Sequence, residues 1–236
     1  MLGRVLKTQS LGPHLCQPDK QKSCGWCCGL YNRCHRSRAE LARELRGRTE
    51  EFARTERTVE AVLHFSERNS LKEKSQLIDP DFYSCEFLGF LNEEETLVGC
   101  MLHPLALGNG GTDWRGLSFH GAMACQGFFC RSYRELSLSQ KEIILSTVND
   151  WYLYGLLISD VDFINGFLRL VEENSIDSAT ILTVPALKLL GEFFDSLAPL
   201  DQTFVGLSSK FRSLSEDKRV AGKLKQLFSR LKTIVQ

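Results

Sequence analysis

The chain has 236 residues, 43% hydrophobic and 25% charged, with no formal net charge. That length can bury a sizeable core, and no stretch approaches the ~18 apolar residues of a membrane span. Nine cysteines are many for such a chain, and residues 1–15 lack the continuous apolar run of a signal peptide. A cytoplasmic protein is expected, in which thiols stay reduced and a cysteine cluster reads as metal-binding or redox-active rather than as a disulfide framework.

Charge is unevenly placed. Residues 1–57 hold 12 Lys/Arg against 6 Asp/Glu, residues 210–236 hold 8 against 2, and the segment between holds 9 against 21. Basic ends can fold against an acidic body or present a surface to an anionic partner. Because the basic residues are interleaved with Glu along a helix, the folding role is favoured, and no nucleic-acid partner is expected.

Residues 1–23 read as a flexible N-terminal arm, broken by Gly12, Pro13 and Pro18. Cys24-Gly-Trp-Cys27-Cys28-Gly follows. A Cys-x-x-Cys loop lets two sulfurs converge on one centre, and glycine lets the backbone turn towards them. From about Ser37 to Ser66 the pattern predicts one long helix. Leu41, Leu45, Phe52, Val59 and Leu63 form its thin apolar stripe, and Glu44/Arg48 and Glu50/Arg54 support it as i,i+4 pairs.

Residues 79–133 predict an irregular segment with eight Gly, four Cys and short strand-like pieces such as Glu95–Val98. A loop this long inside a domain is usually functional or cross-linked. Its cysteines are Cys85, Cys100, Cys125 and Cys130. Beyond Leu138 the pattern is helical again. Ser139 and Glu142 offer a capping box for one or two helices reaching about Glu173, lined by Leu145, Val148, Tyr152, Leu156 and Phe163. Pro185 can open a helix over 185–197. A last amphipathic helix is expected from Ser213, capped with Glu216, with Val220, Leu224, Leu227, Phe228, Leu231 and Val235 on one face and Lys/Arg on the other.

The expected fold is mainly α, with few short strands and an irregular Cys-rich metal-binding layer. It divides into the arm 1–23, a Cys-rich region 24–135 that includes the long helix, and a helical region 136–236 packing on it. The candidate metal ligands are Cys24, Cys27, Cys28, Cys85, Cys100, Cys125 and Cys130. Zinc takes four ligands in tetrahedral array, and a [4Fe–4S] cluster usually takes four thiolates. Seven thiolates exceed one site and fall one short of two. Cys34 or Cys16 could supply an eighth thiolate, and His103 or His120 a nitrogen. On an extended backbone Cys27 and Cys28 would point apart and could serve two centres, whereas on a turn they could share one.

Trp26, Phe87, Phe119, Phe128 and Phe129 could exclude water, although ordinary core packing explains such residues as well. His103 suits a hydrogen-bonded loop position better than ligation, and Asp113 with Arg115 suits an ion pair. No Walker A loop, GxGxxG, HExxH or GxSxG motif occurs. The function expected is therefore a metal-binding protein with a structural, electron-transfer or metal-handling role. Two alternatives remain: a thiol- or cluster-dependent redox enzyme, and an interaction module whose basic helices dock a protein partner.

Cys24-Gly-Trp-Cys27-Cys28, Cys85-Glu-Phe-Leu88, Cys100-Met-Leu-His-Pro104, Cys125 and Cys130 together resemble the YkgJ-type cysteine-cluster family, a zinc- or iron-chelating domain. The resemblance covers about residues 24–130. It departs at Gln21, where the family carries its first cysteine, and in a Gly-rich insertion over about 105–124. What it implies is a chelating domain holding zinc or iron through these thiolates.

Overall fold

The computed structural model describes residues 15–35, 37–74, 77–118, 121, 125, 130–174, 176, 181–197 and 218–235. Among them the fold is mainly helical, with eight α-helices and two short strands. In chain order these are α1 (Arg38–Ala53), α2 (Val59–Lys74), β1 (Leu88–Phe90), β2 (Val98–Cys100), α3 (Arg131–Glu135), α4 (Leu138–Thr147), α5 (Trp151–Ser159), α6 (Val161–Glu173), α7 (Val184–Asp195) and α8 (Lys218–Val235). No helix among the described residues is long and apolar enough to cross a membrane.

The single long helix expected over 37–66 is two helices. Ser37 caps α1 in a capping box with Glu40. The helix then stops because Arg57 turns back on it. The Arg57 guanidinium donates to the carbonyls of Phe52 (2.8 Å) and Thr55 (2.5 Å) and lies 4.0 Å over the Phe52 ring. Its Nε donates to Asn109 Oδ1 at 2.8 Å, which ties the break to a distant loop. Thr58 Oγ1 then accepts from Ala61 N–H and starts α2.

The two helices meet through Phe52 and Phe65, whose ring centroids lie 5.0 Å apart edge to face, and Phe87 completes the cluster. The expected stripe therefore holds only for Leu41, Leu45 and Phe52. Val59 and Leu63 are exposed, and Val62 and Phe65 are buried in their stead. The Glu44–Arg48 and Glu50–Arg54 pairs both form, at 2.7 and 3.7 Å.

Strands β1 and β2 form an antiparallel hairpin with Leu88 opposite Cys100 and Phe90 opposite Val98. The strand expected at Glu95–Val98 is mostly the turn of this hairpin. Asn92 Oδ1 accepts from the N–H groups of Thr96 and Leu97, and Glu95 takes a positive φ of 55°. Arg46 of α1 grips Glu95 with two hydrogen bonds, at 2.5 and 2.6 Å.

In the C-terminal half, the cap of α4 is Ser137 with Gln140, not Ser139 with Glu142. The short helix α3 ends at Leu136, a buried residue, so the next helix opens directly after it. Asp150 and Asp160 cap α5 and α6, which splits the helical stretch expected up to Glu173 into three. Pro185 stands in the first turn of α7, as expected. The Ser213–Glu216 cap lies outside the described residues. Val220, Leu227, Phe228 and Leu231 of α8 are buried. Phe228 stacks on Phe167 at 6.1 Å, within a group of rings that includes Phe193 and Phe194.

Buried side chains from Leu15 to Leu231 form one continuous core. Residues 15–23 of the expected arm take part in it. Leu15, Lys22 and Ser23 are buried, Ser23 Oγ accepts from Val98 N–H at 2.7 Å, and the Tyr154 hydroxyl donates to the Leu15 carbonyl at 2.8 Å. Residues 1–14 lie outside the described residues.

Candidate functional site

The Cys loop is a single 3₁₀ turn, Trp26–Cys28, closed by Gly29 at a φ of 82°. Gly29 N–H donates to the Trp26 carbonyl at 2.9 Å, and Leu30 N–H to the Gly25 carbonyl at 3.2 Å. Glycine is required at position 29 for two reasons. The left-handed backbone disfavours any other residue, and a Cβ there would stand 2.6 Å from both Ser84 Cα and the Tyr83 carbonyl. That close approach lays the loop directly against the segment bearing Cys85.

Main-chain hydrogen bonds then bring distant cysteines together. Cys24 N–H donates to the Cys16 carbonyl at 2.8 Å, and Cys85 N–H to the Cys28 carbonyl at 2.9 Å. Leu88 N–H donates to the Cys85 carbonyl at 3.2 Å, and Leu88 faces Cys100 across the hairpin. Buried Arg48 of α1 fastens the same place, donating to the Cys85 carbonyl at 3.1 Å while paired with Glu44. Arg33 donates to Ser84 Oγ at 2.8 Å and also reaches Glu44 at 3.3 Å.

Backbone N–H groups oppose part of the effect of burial. Those of Trp26 near Cys24, of Phe87 near Cys85, and of Leu102 and His103 near Cys100 favour the thiolate. His103 N–H itself donates to the Cys100 carbonyl at 3.0 Å. The neighbouring Cys28 thiol is the chief cause that holds Cys27 below the ordinary thiol range, and Cys27 the chief cause that holds Cys28 well above it.

Elsewhere burial dominates and the thiols are held protonated. Cys16 is pushed up to about 12 by burial and by Cys27, Cys130 and Cys125. Cys16 is nonetheless an exposed residue. Burial, Cys27 and Cys16 raise Cys24, and burial with Cys100 and Glu86 raises Cys85. Cys100 is pushed up to about 11, mainly by burial, with Arg115 opposing. Cys125 is raised by burial and Cys27, again opposed by Arg115. Cys130 acts electrostatically on Cys16 and Cys24. The seven expected candidates and Cys16 therefore act on one another in one neighbourhood.

Cys34 is exposed, and all nine cysteines are free thiols. The sequence named Cys16 only as an alternative to Cys34, because spacing alone did not show that it lies beside Cys24. His103 is a loop histidine as expected: Nδ1 accepts from Leu105 N–H at 3.2 Å and its carbonyl accepts from Asn109 at 2.8 Å. His120, Phe119, Phe128 and Phe129 lie outside the described residues. Trp26 packs on Phe82 at 5.5 Å. Asp113 and Arg115 pair at 2.6 Å as expected, but Arg115 also acts on Cys100 and Cys125, a role its sequence position did not signal.

Among the described residues no three His, Cys, Asp or Glu side chains stand close enough together to hold a metal ion. The thiols form a neighbourhood wider than a coordination sphere. No known protein family, curated protein or solved structure matches this chain.

Proposed function

We propose that the chain is a cysteine-cluster metal-binding protein. It would hold zinc or an iron–sulfur cluster through Cys24, Cys27, Cys28, Cys85, Cys100, Cys125 and Cys130, with Cys16 added to the set. One observation carries the reading: main-chain hydrogen bonds join Cys24 to Cys16 and Cys85 to Cys28, so that separate chain segments meet at their cysteines. In chemical kind the donors suit the group, although among the described residues no three stand close enough together to hold an ion. Thiolates are the soft ligands that zinc and iron–sulfur centres take, and hydrogen bonds to the sulfurs tune such centres.

Crowded thiols that resist ionisation one beside another are relieved by a cation, which replaces their protons as it binds. Ligation would draw the sulfurs closer than they stand. The resemblance to YkgJ-type chelating domains points the same way, and the location proposed is the cytoplasm. The centre would serve structure, electron transfer or metal handling.

Anaerobic purification, visible absorption and elemental analysis test this. A coloured protein with iron and sulfide supports the cluster, and a colourless one with stoichiometric zinc supports zinc. Cys27→Ser is expected to lower both metal content and Tm, because metal binding is coupled to folding.

The adjacent Cys27 and Cys28, which shift one another's thiols in opposite directions, favour a second reading, a thiol-dependent redox catalyst. A protein that binds neither metal, keeps its stability in Cys27→Ser and alkylates rapidly at Cys27 would replace the first reading with the second.

A further inference from the structure

We infer that the groove between α6 and α8 is a docking site for an acidic amphipathic helix of a partner protein. The groove encloses about 550 Å³. It is built from elements that carry no candidate metal ligand, so the inference stands apart from the cysteine site. Helix α8 runs KRVAGKLKQLFSRLKTIV, with Lys and Arg throughout and no acid. Its large apolar side chains hold it to the core, and its cations remain to be explained.

Leu170 of α6 with Leu224 and Phe228 of α8 give the groove its apolar lining, and the two leucines are only half-buried. Lys225 and Lys232 also line it and are exposed, and among the described residues no carboxylate does. Seven residues separate the two lysines, so they share a face about 10 Å apart along the axis. Among the described residues neither has an ion-pair partner, whereas Arg230 is paired with Glu192 of α7 at 3.0 Å. The end of α6 does not occupy them either. Asn174 already serves the Leu170 carbonyl there, its N–H at 3.1 Å and its side-chain amide at 2.7 Å. The two ammonium groups are left to an anion from outside.

Charge complementarity identifies the occupant. An apolar trough between two helices, with cations two turns apart, is the complement of a helix with one apolar face and Asp or Glu beside it at seven-residue spacing. From Ala221 to Lys232 the groove follows α8 for about 16 Å, enough for three turns of such a helix. A lipid surface suits this geometry less well. A helix that lies in a membrane interface turns its large apolar side chains outward. Those of α8 that would insert, Val220, Leu227, Phe228 and Leu231, are buried, and none of the exposed large hydrophobic residues belongs to α8.

The test is fluorescence anisotropy of the full-length protein with a labelled synthetic helix of three heptads. The probe carries Leu at positions a and d and Glu at e and g, and a control peptide carries Lys in place of Glu. Wild type is expected to bind the acidic peptide, less tightly as salt rises, and not the basic one. Lys225→Glu with Lys232→Glu should weaken binding about tenfold or more. Ala221→Trp fills the groove from an exposed position and should abolish binding with Tm unchanged. The charge-reversal variant alters only exposed residues, so it reads the site even if the tryptophan variant fails to fold. No binding by wild type, equal binding of the basic peptide, or unchanged affinity in the charge-reversal variant overturns the inference. So does wild type that ignores the acidic peptide but sediments with phosphatidylserine vesicles, which would make the face a membrane contact.

Discussion

Gly29→Ala is a one-carbon change that should break the junction between the two cysteine segments. Two costs act together. A non-glycine residue in the left-handed region costs roughly 1–2 kcal/mol. The added Cβ would also stand 2.6 Å from Ser84 Cα and from the Tyr83 carbonyl. Both are backbone atoms, so no side chain can rotate away, and overpacking of this kind costs typically about 1–3 kcal/mol. Alanine offsets roughly 0.4–1 kcal/mol by restricting the unfolded chain. The net loss is about 1–4.6 kcal/mol, and a chain of this size loses roughly 2–4 °C in Tm per kcal/mol, so a fall of about 2–18 °C is expected.

Gly47→Ala is the matched control. Gly47 is an exposed position inside α1 with nothing within 4 Å of its added Cβ. There alanine should gain about 0.5–1 kcal/mol of helix stability and raise Tm. Thermal unfolding followed by circular dichroism compares the two. Equal shifts in both variants, or a Gly29→Ala Tm within about 1 °C of wild type, would refute the claim that this close approach joins the segments. Metal uptake should fall in Gly29→Ala alone, since the bond from Cys85 N–H to the Cys28 carbonyl depends on that approach.

Further outcomes can be measured independently. Tyr31→Phe removes a buried hydroxyl that donates to the Tyr152 carbonyl at 2.8 Å and should cost about 1 kcal/mol, read as a Tm loss of a few degrees. Glu44→Ala withdraws a carboxylate bonded to buried Arg48 and Arg33. A loss of roughly 3 kcal/mol is expected from the charges left behind, and a denaturant midpoint unchanged from wild type would count against it. Hydrogen bonds from Arg115 hold the exposed Asp113 carboxyl down at about 2. Its contribution to stability is therefore present above the ordinary carboxylate range and is lost as pH falls through about 2. Carboxyl carbon NMR of Arg115→Gln should show Asp113 titrating back in the ordinary range.

The helical class was legible because helices announce themselves locally. The start of α1 near Ser37, Pro185 and the apolar face of α8 all act within a few residues of where they are read. The cysteine motif was legible for the same reason: Cys24, Cys27 and Cys28 crowd one short loop. The break between α1 and α2 was not, because what ends α1 is Arg57 reaching Asn109, and nothing within a helical turn of Arg57 reveals that partner. The start of α4 was read two residues late, since both Ser137 and Ser139 have an acid or amide three positions on. The buried end of α3 at Leu136 decided between them.

Sequence by itself determined that this chain would be mainly helical and which residues bring sulfur. Tertiary structure decided which sulfurs are neighbours. Cys16 joins Cys24, Cys28 joins Cys85, and Cys34 stays at the surface, although Cys34 is nearer to Cys28 along the chain than Cys16 is. The physical reason is range. Propensity, capping and periodicity act over one or two turns. Closing the long loop from Cys28 to Cys85 costs chain entropy that only packed side chains and a glycine-thin contact between backbones can offset.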